Sequence, residues 1–485
     1  MLKKVLLITP NYKYFPGALE TKLNYRQSSL GLAYIAAAIR SRCRVEVKVY
    51  DAMVLNAVEE EVVNYINSYK PQIIGISVHT LTVEYARNVA LAARRIVPEA
   101  FIVFGGPHVS ALPFENLDVA DVCVIGEGDD TVVELVNQFL SGGSFDGVEG
   151  IALRKNGSCI KTKTRTLIAD LDSLPLPARD LFPFYKQRHI YPYRLATPYC
   201  NTIVTSRGCS FNCTFCSNEI MWQRRVRNRS ISNALVEIEV LVKQYNTSLL
   251  FIHDDNFTEN HKRVIEFCEE KQKYFPQLKW ICHSRSDCLT RDLLEKMKAS
   301  GCVEIQVGVE SGSDAILAKC NKGSHTAAMR KTFHLLEEAK INSWATFIIG
   351  NEGDTKESIE QTIEFAKEID PTYCSFLFLT PLPGTQIYER FVQKGYINTF
   401  QWSRYNFHSA PVFETEHLSL NLLLNLRKKA YRVFYLRPTA VVRFFVAAIA
   451  SRQWGILLSD ACILMKFLLG LIAKDSHYID RRSKK

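Results

Sequence analysis

The chain carries the stretch T-S-R-G-C-S-F-N-C-T-F-C-S-N from Thr205 to Asn218. It directly follows a β-branched run that predicts a strand, and it contains Cys209, Cys213 and Cys216. Thiols grouped so closely in one loop indicate a soft metal centre. A structural zinc site would need a fourth ligand, for which Cys200 is the one close candidate. Three thiolates can instead hold a cluster of four irons and leave one iron open to a small molecule.

A block of alternating strands and helices surrounds this stretch, from Asn201 to about Tyr396. Segments such as Ile231–Tyr245 and Ile359–Ile369 carry apolar residues at helical spacing. The predicted strands between the helices are Thr202–Thr205, Leu249–Ile252, Trp280–Ser284, Val303–Gly308, Trp344–Ile349 and Tyr373–Leu379. Six such units predict a partial (β/α)6 barrel, in which functional residues lie at the carboxyl ends of the strands.

Polar and glycine-rich strings follow several of these strands. They are H-D-D-N-F-T with Asp254, H-S-R-S-D with Arg285, G-V-E-S-G with Glu310 and Ser311, and T-P-L-P-G-T with Thr380 and Pro381. An arginine such as Arg285 can bind a carboxylate through two parallel hydrogen bonds. Each string alone also fits an ordinary turn or helix cap. Their repeated position after a strand favours one shared ligand site.

Residues 1 to about 140 show a second alternating pattern. Helical spacing in Ser29–Arg40, Val58–Tyr69 and Val83–Ile96 separates β-branched runs. The predicted strands are Val5–Thr9, Val45–Tyr50, Ile73–Val78, Phe101–Phe104 and Asp121–Ile125. This alternation predicts a parallel sheet covered on both faces, a Rossmann-like or flavodoxin-like α/β domain. Turn residues at the ligand-binding rim of that sheet are Gly105, Gly106, Pro107, His108, Gly126 and Glu127.

The predicted organisation has four parts. A flavodoxin-like domain covers residues 1–145, and the partial barrel covers residues 199–400. Residues 146–198 between them contain a hairpin with an Asn156-Gly157 turn and a proline-rich connector. Residues 401–485 form a helical extension whose stretch 439–473 is unusually apolar. For that stretch core packing is favoured, an interfacial membrane helix comes second and a true span last, because Asp460 and Lys466 interrupt it.

The composition is that of a globular protein, with 47% hydrophobic and 23% charged residues. The net charge of +10 favours solubility over nucleic-acid binding, and the cluster from Arg224 to Arg229 is interpreted as a solvated loop. The N-terminal M-L-K-K-V-L-L-I-T-P predicts a first strand rather than a signal peptide, which indicates a cytoplasmic protein without a disulfide framework. The apolar C-terminal stretch and the basic tail add the hypothesis of peripheral membrane contact.

The C-x-x-x-C-x-x-C string on the first loop of a partial barrel resembles the radical S-adenosylmethionine (SAM) superfamily. The resemblance implies a [4Fe-4S] cluster on Cys209, Cys213 and Cys216, whose open iron chelates SAM and cleaves it to a 5′-deoxyadenosyl radical. It also implies an external electron donor such as flavodoxin or ferredoxin. The SAM contacts it implies are Phe215, Thr380 and Pro381 near adenine, Asp254 near the methionine ammonium, and Glu310 and Ser311 near ribose and methionine. One string departs from the family pattern, with Glu352 where proline is expected.

The N-terminal domain resembles the cobalamin-binding domains fused to one branch of this superfamily. The strings Gly105–Ser110 and Gly126–Gly128 carry the likeness, since glycines there let a flat corrin approach the backbone closely. The string D-x-H-x-x-G, which supplies a histidine to cobalt in another cobalamin family, is absent. In the nearest sequence of this domain, Met53 stands in the place of that histidine. We therefore expect cobalt without a histidine lower ligand. For His108, a position facing solvent or the corrin edge is favoured over direct coordination of the cobalt.

The leading hypothesis is a cobalamin-dependent radical SAM methyltransferase that modifies an unactivated carbon of a small-molecule or lipid-like substrate. The alternative is a cobalamin-dependent radical oxidative cyclase or ring-rearranging enzyme, resembling the anaerobic oxidative cyclase of chlorophyll synthesis. Both share every motif above, so only the product separates them. A non-catalytic cluster or cobalamin sensor belongs to another class, and the SAM-contact strings argue against it. The resemblance covers about residues 1–400 and extends to Y-R-V-F-Y-L-R-P at Tyr431–Pro438.

Overall fold

The computed structural model describes residues 2–11, 28–183, 200–440 and 442–443. These residues form two large sheets, of which the first belongs to the N-terminal part of the chain. Its seven strands lie in the order β2-β1-β3-β4-β5-β6-β7. They are β1 (Lys3–Thr9), β2 (Val45–Asp51), β3 (Ile73–Ser77), β4 (Phe101–Gly105), β5 (Val122–Val124), β6 (Ile151–Lys155) and β7 (Ser158–Lys161).

Parallel pairing unites the first five strands of this sheet. Strand β1 lies between β2 and β3, where Val5 is opposite both Val47 of β2 and Ile73 of β3. Continuous apolar runs such as V-L-L-I form these strands because both faces of the sheet are covered. The order 2-1-3-4-5 is that of flavodoxin-like sheets, whose switch point lies between β1 and β3. The predicted flavodoxin-like fold is confirmed.

Helices cover both faces of the N-terminal sheet. One face buries an apolar cluster under α3 and α4, and the other buries a second cluster under α1 and α6. The helices are α1 (Leu30–Arg42), α2 (Ala52–Leu55), α3 (Glu59–Tyr69), α4 (Val83–Ile96), α5 (Pro107–Ala111) and α6 (Asp129–Ser141). The short helix α5 begins directly after the Gly105-Gly106 turn, at the carboxyl rim of the sheet.

The predicted hairpin forms as β6 and β7. Asn156 and Gly157 have φ values of 50° and 81°, as a two-residue hairpin turn requires. Strand β6 also pairs antiparallel with β5, where Cys123 is opposite Ala152. The hairpin therefore extends the N-terminal sheet to Lys161 instead of standing apart from it.

The second large sheet is the predicted partial barrel, and its six strands are all parallel. In sheet order they run β15-β14-β13-β12-β11-β8. They are β8 (Cys200–Ile203), β11 (Leu249–Ile252), β12 (Lys279–Arg285), β13 (Cys302–Glu310), β14 (Asn342–Ile349) and β15 (Tyr373–Phe378). Strand β8 ends earlier than predicted, because the Thr205 amide donates to Asp254 instead of joining the ladder.

Helices surround the outer face of the barrel and bury its largest apolar cluster. They are α7 (Asn218–Trp222), α8 (Ile231–Tyr245), α9 (His261–Tyr274), α10 (Arg291–Ala299), α11 (Asp314–Lys319), α12 (Thr326–Glu338), α13 (Lys356–Glu368), α14 (Gln386–Gln393) and α15 (Leu420–Tyr435). Along β14 and β15 buried residues alternate with half-buried ones. The buried set packs on the helices, so the half-buried set faces the barrel interior.

Two tyrosines of α15 cover the edge strand β15. The Tyr435 hydroxyl accepts from the Cys374 amide at 3.0 Å and donates to the Cys374 carbonyl at 2.7 Å. Tyr431 makes the same two contacts with Phe376, at 3.2 Å and 3.4 Å. Tyr431 and Tyr435 are about one helical turn apart, and that length is close to the length of two residues along a strand. The string Y-R-V-F-Y therefore satisfies backbone groups that an open edge would leave unpaired.

The apolar stretch 439–473 lies outside the described residues, apart from residues 439–440 and 442–443. The basic tail also lies outside them, as does the proline-rich connector from residue 184 onward. Within the part of the chain that the structure describes, no helix has the length and apolar composition needed to cross a bilayer.

Candidate active site at the facing rims of the two sheets

The cysteine loop leaves the barrel rim on a fixed base. A short ribbon closes it, in which β9 (Ser206–Arg207) pairs antiparallel with β10 (Arg227–Asn228). The fully buried Asp254 accepts from the Thr205 amide, the Thr205 hydroxyl and the Ser206 hydroxyl, each at 2.6 Å. Its neighbour Asp255 accepts from the Gly208 amide at 3.1 Å. Both oxygens of Asp254 are therefore used to anchor the loop, and it is Asp255 that keeps an exposed side chain.

The three loop thiols are free and lie near one another. Burial raises the pKa of Cys209 to about 12 and that of Cys216 to about 11, and the neighbouring thiol of the set adds to each shift. Burial also raises the pKa of Cys213, whereas Lys322 and Arg285 oppose the increase. Loss of these protons therefore needs a bound cation, as in a metal–thiolate bond.

The donor set fits an iron–sulfur cluster better than a single zinc ion. Cys200, the candidate fourth zinc ligand, begins β8 at the end of the strand opposite the loop. In the described ranges no group of three His, Cys, Asp or Glu side chains is placed to hold one metal ion. A four-iron cluster is larger than one ion and needs only three protein thiolates when its fourth iron stays open.

Arg285 lies directly against the cysteine loop. Its guanidinium stacks 3.5 Å from the ring centre of Phe211, and one nitrogen lies 3.7 Å from Cys213 Sγ. The guanidinium already donates two hydrogen bonds to the Asp287 carboxylate, at 2.9 Å and 2.7 Å. Arg285 therefore brings positive charge to the thiols, while the bidentate geometry predicted for a ligand carboxylate is filled by Asp287.

Glu310 forms a buried ion pair with Lys322 at 2.8 Å. Its backbone has a φ of 68°, at a register shift in β13 that turns the residue off the regular ladder. A methyl group on Gly308 would lie 2.5 Å from Glu310 Oε1, so the glycine makes room for the pair. Ser311 is buried and its hydroxyl lies 3.2 Å from that of Thr362. Glu310 thus stays at the rim, whereas Ser311 packs toward α13.

The remaining predicted SAM contacts lie near the sixth strand. Thr380 and Pro381 are buried directly beyond β15, and Phe215 is half-buried against the barrel core. Close by, Gly384 has a φ of 78°, and a methyl group on it would lie 2.7 Å from Ile220 and 3.1 Å from Ala111. Ala111 belongs to α5 of the N-terminal domain, so the two rims are in contact here.

The barrel interior carries a belt of uncharged polar and aromatic side chains. Strand register aligns one row across β12 to β15: His283, Gln306, Trp344 and Tyr373. His253 joins the row beside His283, with ring centroids 5.4 Å apart. Burial lowers the pKa of His253 to about 4 and that of His283 to about 3, so both are neutral at physiological pH. Below them burial raises the pKa of Glu304 to about 8, which keeps this carboxyl group protonated near pH 7.

Predicted corrin contacts form the opposite rim. Gly106 has a φ of 107°, and a side chain there would meet the Val78 carbonyl at 2.8 Å. Gly126 has a φ of 73°, and the position of its missing side chain opens onto empty space. Half-buried Gly105 and Pro107 flank Gly106 in the same turn. The rim therefore offers backbone at Gly126 that a flat ligand can approach, as a corrin would require.

His108 is buried and both of its ring nitrogens are engaged. Nδ1 lies 3.3 Å from the Thr80 hydroxyl, and Nε2 lies 3.1 Å from a carboxylate oxygen of Glu115. The edge of Trp402 packs on the ring, and its indole N–H donates to Glu115 at 2.6 Å. The expectation that His108 faces solvent is wrong, because a segment of the C-terminal extension covers it.

A buried ion-pair network joins the two rims. Arg207 pairs with Glu127 at 2.5 Å and with Asp129 at 2.8 Å, and Arg227 pairs with the second oxygen of Glu127 at 2.7 Å. Arg229 pairs with the buried Glu237 of α8. The interpretation of Arg224–Arg229 as a solvated loop is therefore wrong for Arg227 and Arg229. Carboxylates from two other elements neutralise them, a pairing that local sequence does not reveal.

The site also contains residues that the motifs missed. Lys322 follows α11 and pairs with Glu310, and His79 follows β3, but neither belongs to a string that the sequence analysis marked. His79 is exposed, and desolvation and the nearby His108 lower its pKa. The one available signal was the position after a strand of the parallel sheet.

Comparisons with known proteins agree with these two units. The family model for the B12 binding domain matches residues 18–136, and the model for the radical SAM superfamily matches residues 203–366. An uncharacterized methyltransferase of Pyrococcus horikoshii is 30% identical over 443 residues, which cover 91% of this chain and 94% of that protein. The anaerobic magnesium-protoporphyrin IX monomethyl ester cyclase of Cereibacter sphaeroides is 28% identical, over 90% of this chain and 70% of the cyclase.

A solved structure shows the same overall fold. It is that of the cobalamin-dependent S-adenosylmethionine radical enzyme OxsB, with a TM-score of 0.71 and 18% identity. The similarity covers 96% of this chain and 72% of that one. Both family models and the Pyrococcus horikoshii relative confirm the resemblance that the cysteine loop and the rim glycines predict. The chain belongs to the radical SAM superfamily and is an enzyme of the group that carries an N-terminal B12 binding domain.

Proposed function

We propose that the chain is a cobalamin-dependent radical SAM methyltransferase acting on an unactivated carbon of a small-molecule or lipid-like substrate. The observation that carries the proposal is the position of the cysteine loop, which lies on a barrel rim docked against the rim of the B12 binding domain. This arrangement supports one closed site for two cofactors, of which one starts a radical reaction and the other carries a methyl group.

Cys209, Cys213 and Cys216 would hold the [4Fe-4S] cluster. Asp254 fixes the base of their loop before any cofactor binds, so little ordering remains to be done on binding. Arg285 and Lys322 would balance the negative charge of the cluster and its thiolates. When bound, the cluster and SAM supply a 5′-deoxyadenosyl radical, and cobalamin supplies the methyl group.

The chain's own residues would orient the substrate and exclude water. The close contact of Gly384 with Ile220 and Ala111 seals one side of the junction between the rims. Beneath it, the neutral belt with His253 and His283 offers hydrogen bonds without charge. This environment supports a substrate whose buried portion is uncharged, because an unpaired ion would lose its hydration there.

Radical oxidative cyclisation or ring rearrangement is the second candidate function. Similarity to the Cereibacter sphaeroides cyclase over 90% of this chain favours it. The two reactions differ in how they consume SAM. Methyl transfer leaves S-adenosylhomocysteine in addition to 5′-deoxyadenosine, whereas a cyclase that uses SAM only as a radical source leaves 5′-deoxyadenosine alone.

An external one-electron donor of the flavodoxin or ferredoxin type and peripheral membrane contact complete the proposal. The apolar composition of residues 439–473 motivates the membrane part. Flotation of the intact protein with anionic liposomes tests it. Protein that stays at the bottom of the gradient at low salt would remove membrane contact from the proposal and leave the chemistry untouched.

The test of the function is anaerobic reconstitution of the full chain with iron, sulfide and hydroxocobalamin, followed by reduction and addition of SAM with a deuterated methyl group. A fraction of cellular small molecules serves as the substrate source. Mass spectrometry should show 5′-deoxyadenosine, S-adenosylhomocysteine and a product heavier by one deuterated methyl group in place of hydrogen.

Three other outcomes are informative. Formation of 5′-deoxyadenosine without S-adenosylhomocysteine, together with a dehydrogenated product, supports the cyclase instead. Retained corrin and cluster without any SAM cleavage indicate a sensor. Bound zinc in place of iron, without nucleoside formation, contradicts the radical mechanism altogether.

A further inference from the structure

Residues 1–145 contain two histidines, His79 and His108. Both lie at the carboxyl rim of the N-terminal sheet, where flavodoxin-like sheets bind their ligands. Imidazole is a common metal ligand, and it binds through a ring nitrogen that carries no proton. The availability of those nitrogens therefore decides which of the two could meet a metal held at this rim.

His108 is not available. Thr80 and Glu115 engage its two ring nitrogens, and Trp402 covers the ring. Only 1% of the residue is accessible. Coordination by His108 would require breaking the Glu115 contact and displacing Trp402 from the apolar core that it shares with the N-terminal domain.

His79 is available and held in place. Its backbone amide donates to the Thr82 hydroxyl at 3.0 Å, and that hydroxyl donates to the His79 carbonyl at 3.0 Å. The preceding residue, Val78, is tied to β4 through the Gly105 carbonyl at 2.7 Å. Neither ring nitrogen of His79 has a hydrogen-bond partner among the described residues, and the residue is exposed.

The position of His79 also suits a flat macrocycle. It lies after β3, beside the switch point between β1 and β3. The backbone before it packs against Gly106, whose missing side chain permits the contact with Val78. Across the rim, Gly126 leaves open space. A flat ring bound at this rim would therefore lie at the edge of the sheet that bears the His79 imidazole.

We propose that His79 is the lower axial ligand of the cobalt when cobalamin is bound, an inference that rests on the proposed function of this domain. It departs from the expectation of cobalt without a histidine ligand, because the donor comes from the loop after β3 and not from a D-x-H-x-x-G string. Coordination by His79 would hold the cobalt at the N-terminal rim, which is joined to the barrel rim that bears the cysteine loop.

Electron paramagnetic resonance of the cob(II)alamin form tests this ligand. The full chain is reconstituted anaerobically with hydroxocobalamin and reduced by one electron, with protein made once with natural histidine and once with ¹⁵N-labelled histidine. The unpaired electron points along the axial bond, so a histidine nitrogen splits each cobalt line into a triplet, and the label converts it to a doublet. His79→Ala should lose the splitting, whereas the matched control His108→Gln should keep it.

The possible outcomes distinguish a failure of the His79 assignment from a failure of the proposed function. Unsplit cobalt lines in wild-type protein that retains corrin overturn the assignment of His79 and leave the methyltransferase proposal intact. A triplet that persists in labelled protein also overturns it, since the nitrogen then belongs to the cofactor's own base. Failure of the wild-type protein to retain any corrin overturns the ligand and the proposed function together. Because unsplit lines or an unchanged triplet in wild-type protein already overturn the assignment, it stays falsifiable even if His79→Ala does not fold.

Discussion

The two large sheets of this protein have parallel strands at their centres and meet at their carboxyl rims. They differ in the ionisation of their buried side chains. At the rim of the N-terminal sheet, Glu127 and Asp129 are ionic partners of the barrel's Arg207. Inside the barrel, His253 and Glu304 are neutral near pH 7, because burial shifts each pKa toward the uncharged form. The difference shows that charge joins the domains here, while the belt of side chains inside the barrel is uncharged.

Loss of a thiol from the cysteine loop should have the largest effect, on both bound iron and activity. Cys213→Ala is expected to reduce 5′-deoxyadenosine formation to background and to lose most of the bound iron, because the cluster depends on three thiolates. Iron analysis and mass spectrometry after anaerobic reconstitution measure both quantities. The control is Cys159→Ala, an exposed thiol on β7 that should change neither. Full iron content and nucleoside formation in Cys213→Ala would remove the cysteine loop from the proposed site.

The charged junction can be broken at Arg207. Arg207→Leu leaves Asp129 buried without its ionic partner, and such changes cost about 3–5 kcal/mol of unfolding free energy. Urea unfolding measures the loss. Arg40→Leu is the matched control, since the Arg40–Asp180 pair is exposed and such pairs contribute about 0–1 kcal/mol.

A double variant sharpens the same comparison. Adding Asp129→Leu to Arg207→Leu should recover much of the lost stability, because an apolar pair of similar volume replaces a buried ion pair at little cost. Equal effects of Arg207→Leu and Arg40→Leu would mean that the rim network does not hold the domains together.

The neutral interior can be tested through Glu304. Its folded pKa of about 8 exceeds the ordinary value of 4.5, so the folded state keeps a proton that the unfolded state has lost between these values. Stability from this group therefore falls as pH rises through that window, by about 2 kcal/mol from pH 5 to pH 7. Glu304→Gln should show a shallower decline than wild type in urea unfolding across this range. Parallel pH curves for the two proteins would show that Glu304 is ionised in the folded state.

The smallest expected effect concerns the edges of the two sheets. The N-terminal sheet gains a hairpin next to β5, whereas the barrel edge β15 is covered by tyrosine hydroxyls. Tyr435→Phe should lower the unfolding free energy by about 1–2 kcal/mol, because it leaves the Cys374 amide without its partner. Tyr274→Phe, at a residue that is 55% exposed, is the control and should be neutral. Indistinguishable melting curves for the two variants would show that water replaces the hydroxyl at this edge.

Much of this architecture could be predicted because it depends on local patterns. Hydrophobic periodicity predicted both parallel sheets, and the spacing of Cys209, Cys213 and Cys216 predicted the loop that bears the thiols. Strand β8 ends before Thr205, the predicted last residue, because the Thr205 amide bonds to Asp254 instead of joining the ladder. The Asn156-Gly157 turn predicted its hairpin, but not the pairing of that hairpin with β5.

The roles of single rim residues could not be predicted in the same way. Glu127 lies at the expected rim, yet two arginines about 80 to 100 residues away along the chain occupy its carboxylate. His108 lies in the expected turn, yet Trp402 from the C-terminal extension covers it. The functions of the predicted site residues stay predictions until the variants above are measured.

The sequence by itself determined the order of strands and helices, the thiol-bearing loop and the family of the chain, because each depends on residues that are close together along the chain. Only the tertiary structure decided which charged groups pair, which histidine keeps its ring nitrogens available and where the uncharged interior lies. These properties depend on burial and on contacts between distant segments. Burial and pairing set the ionisation and accessibility of a side chain, so no local pattern can specify them.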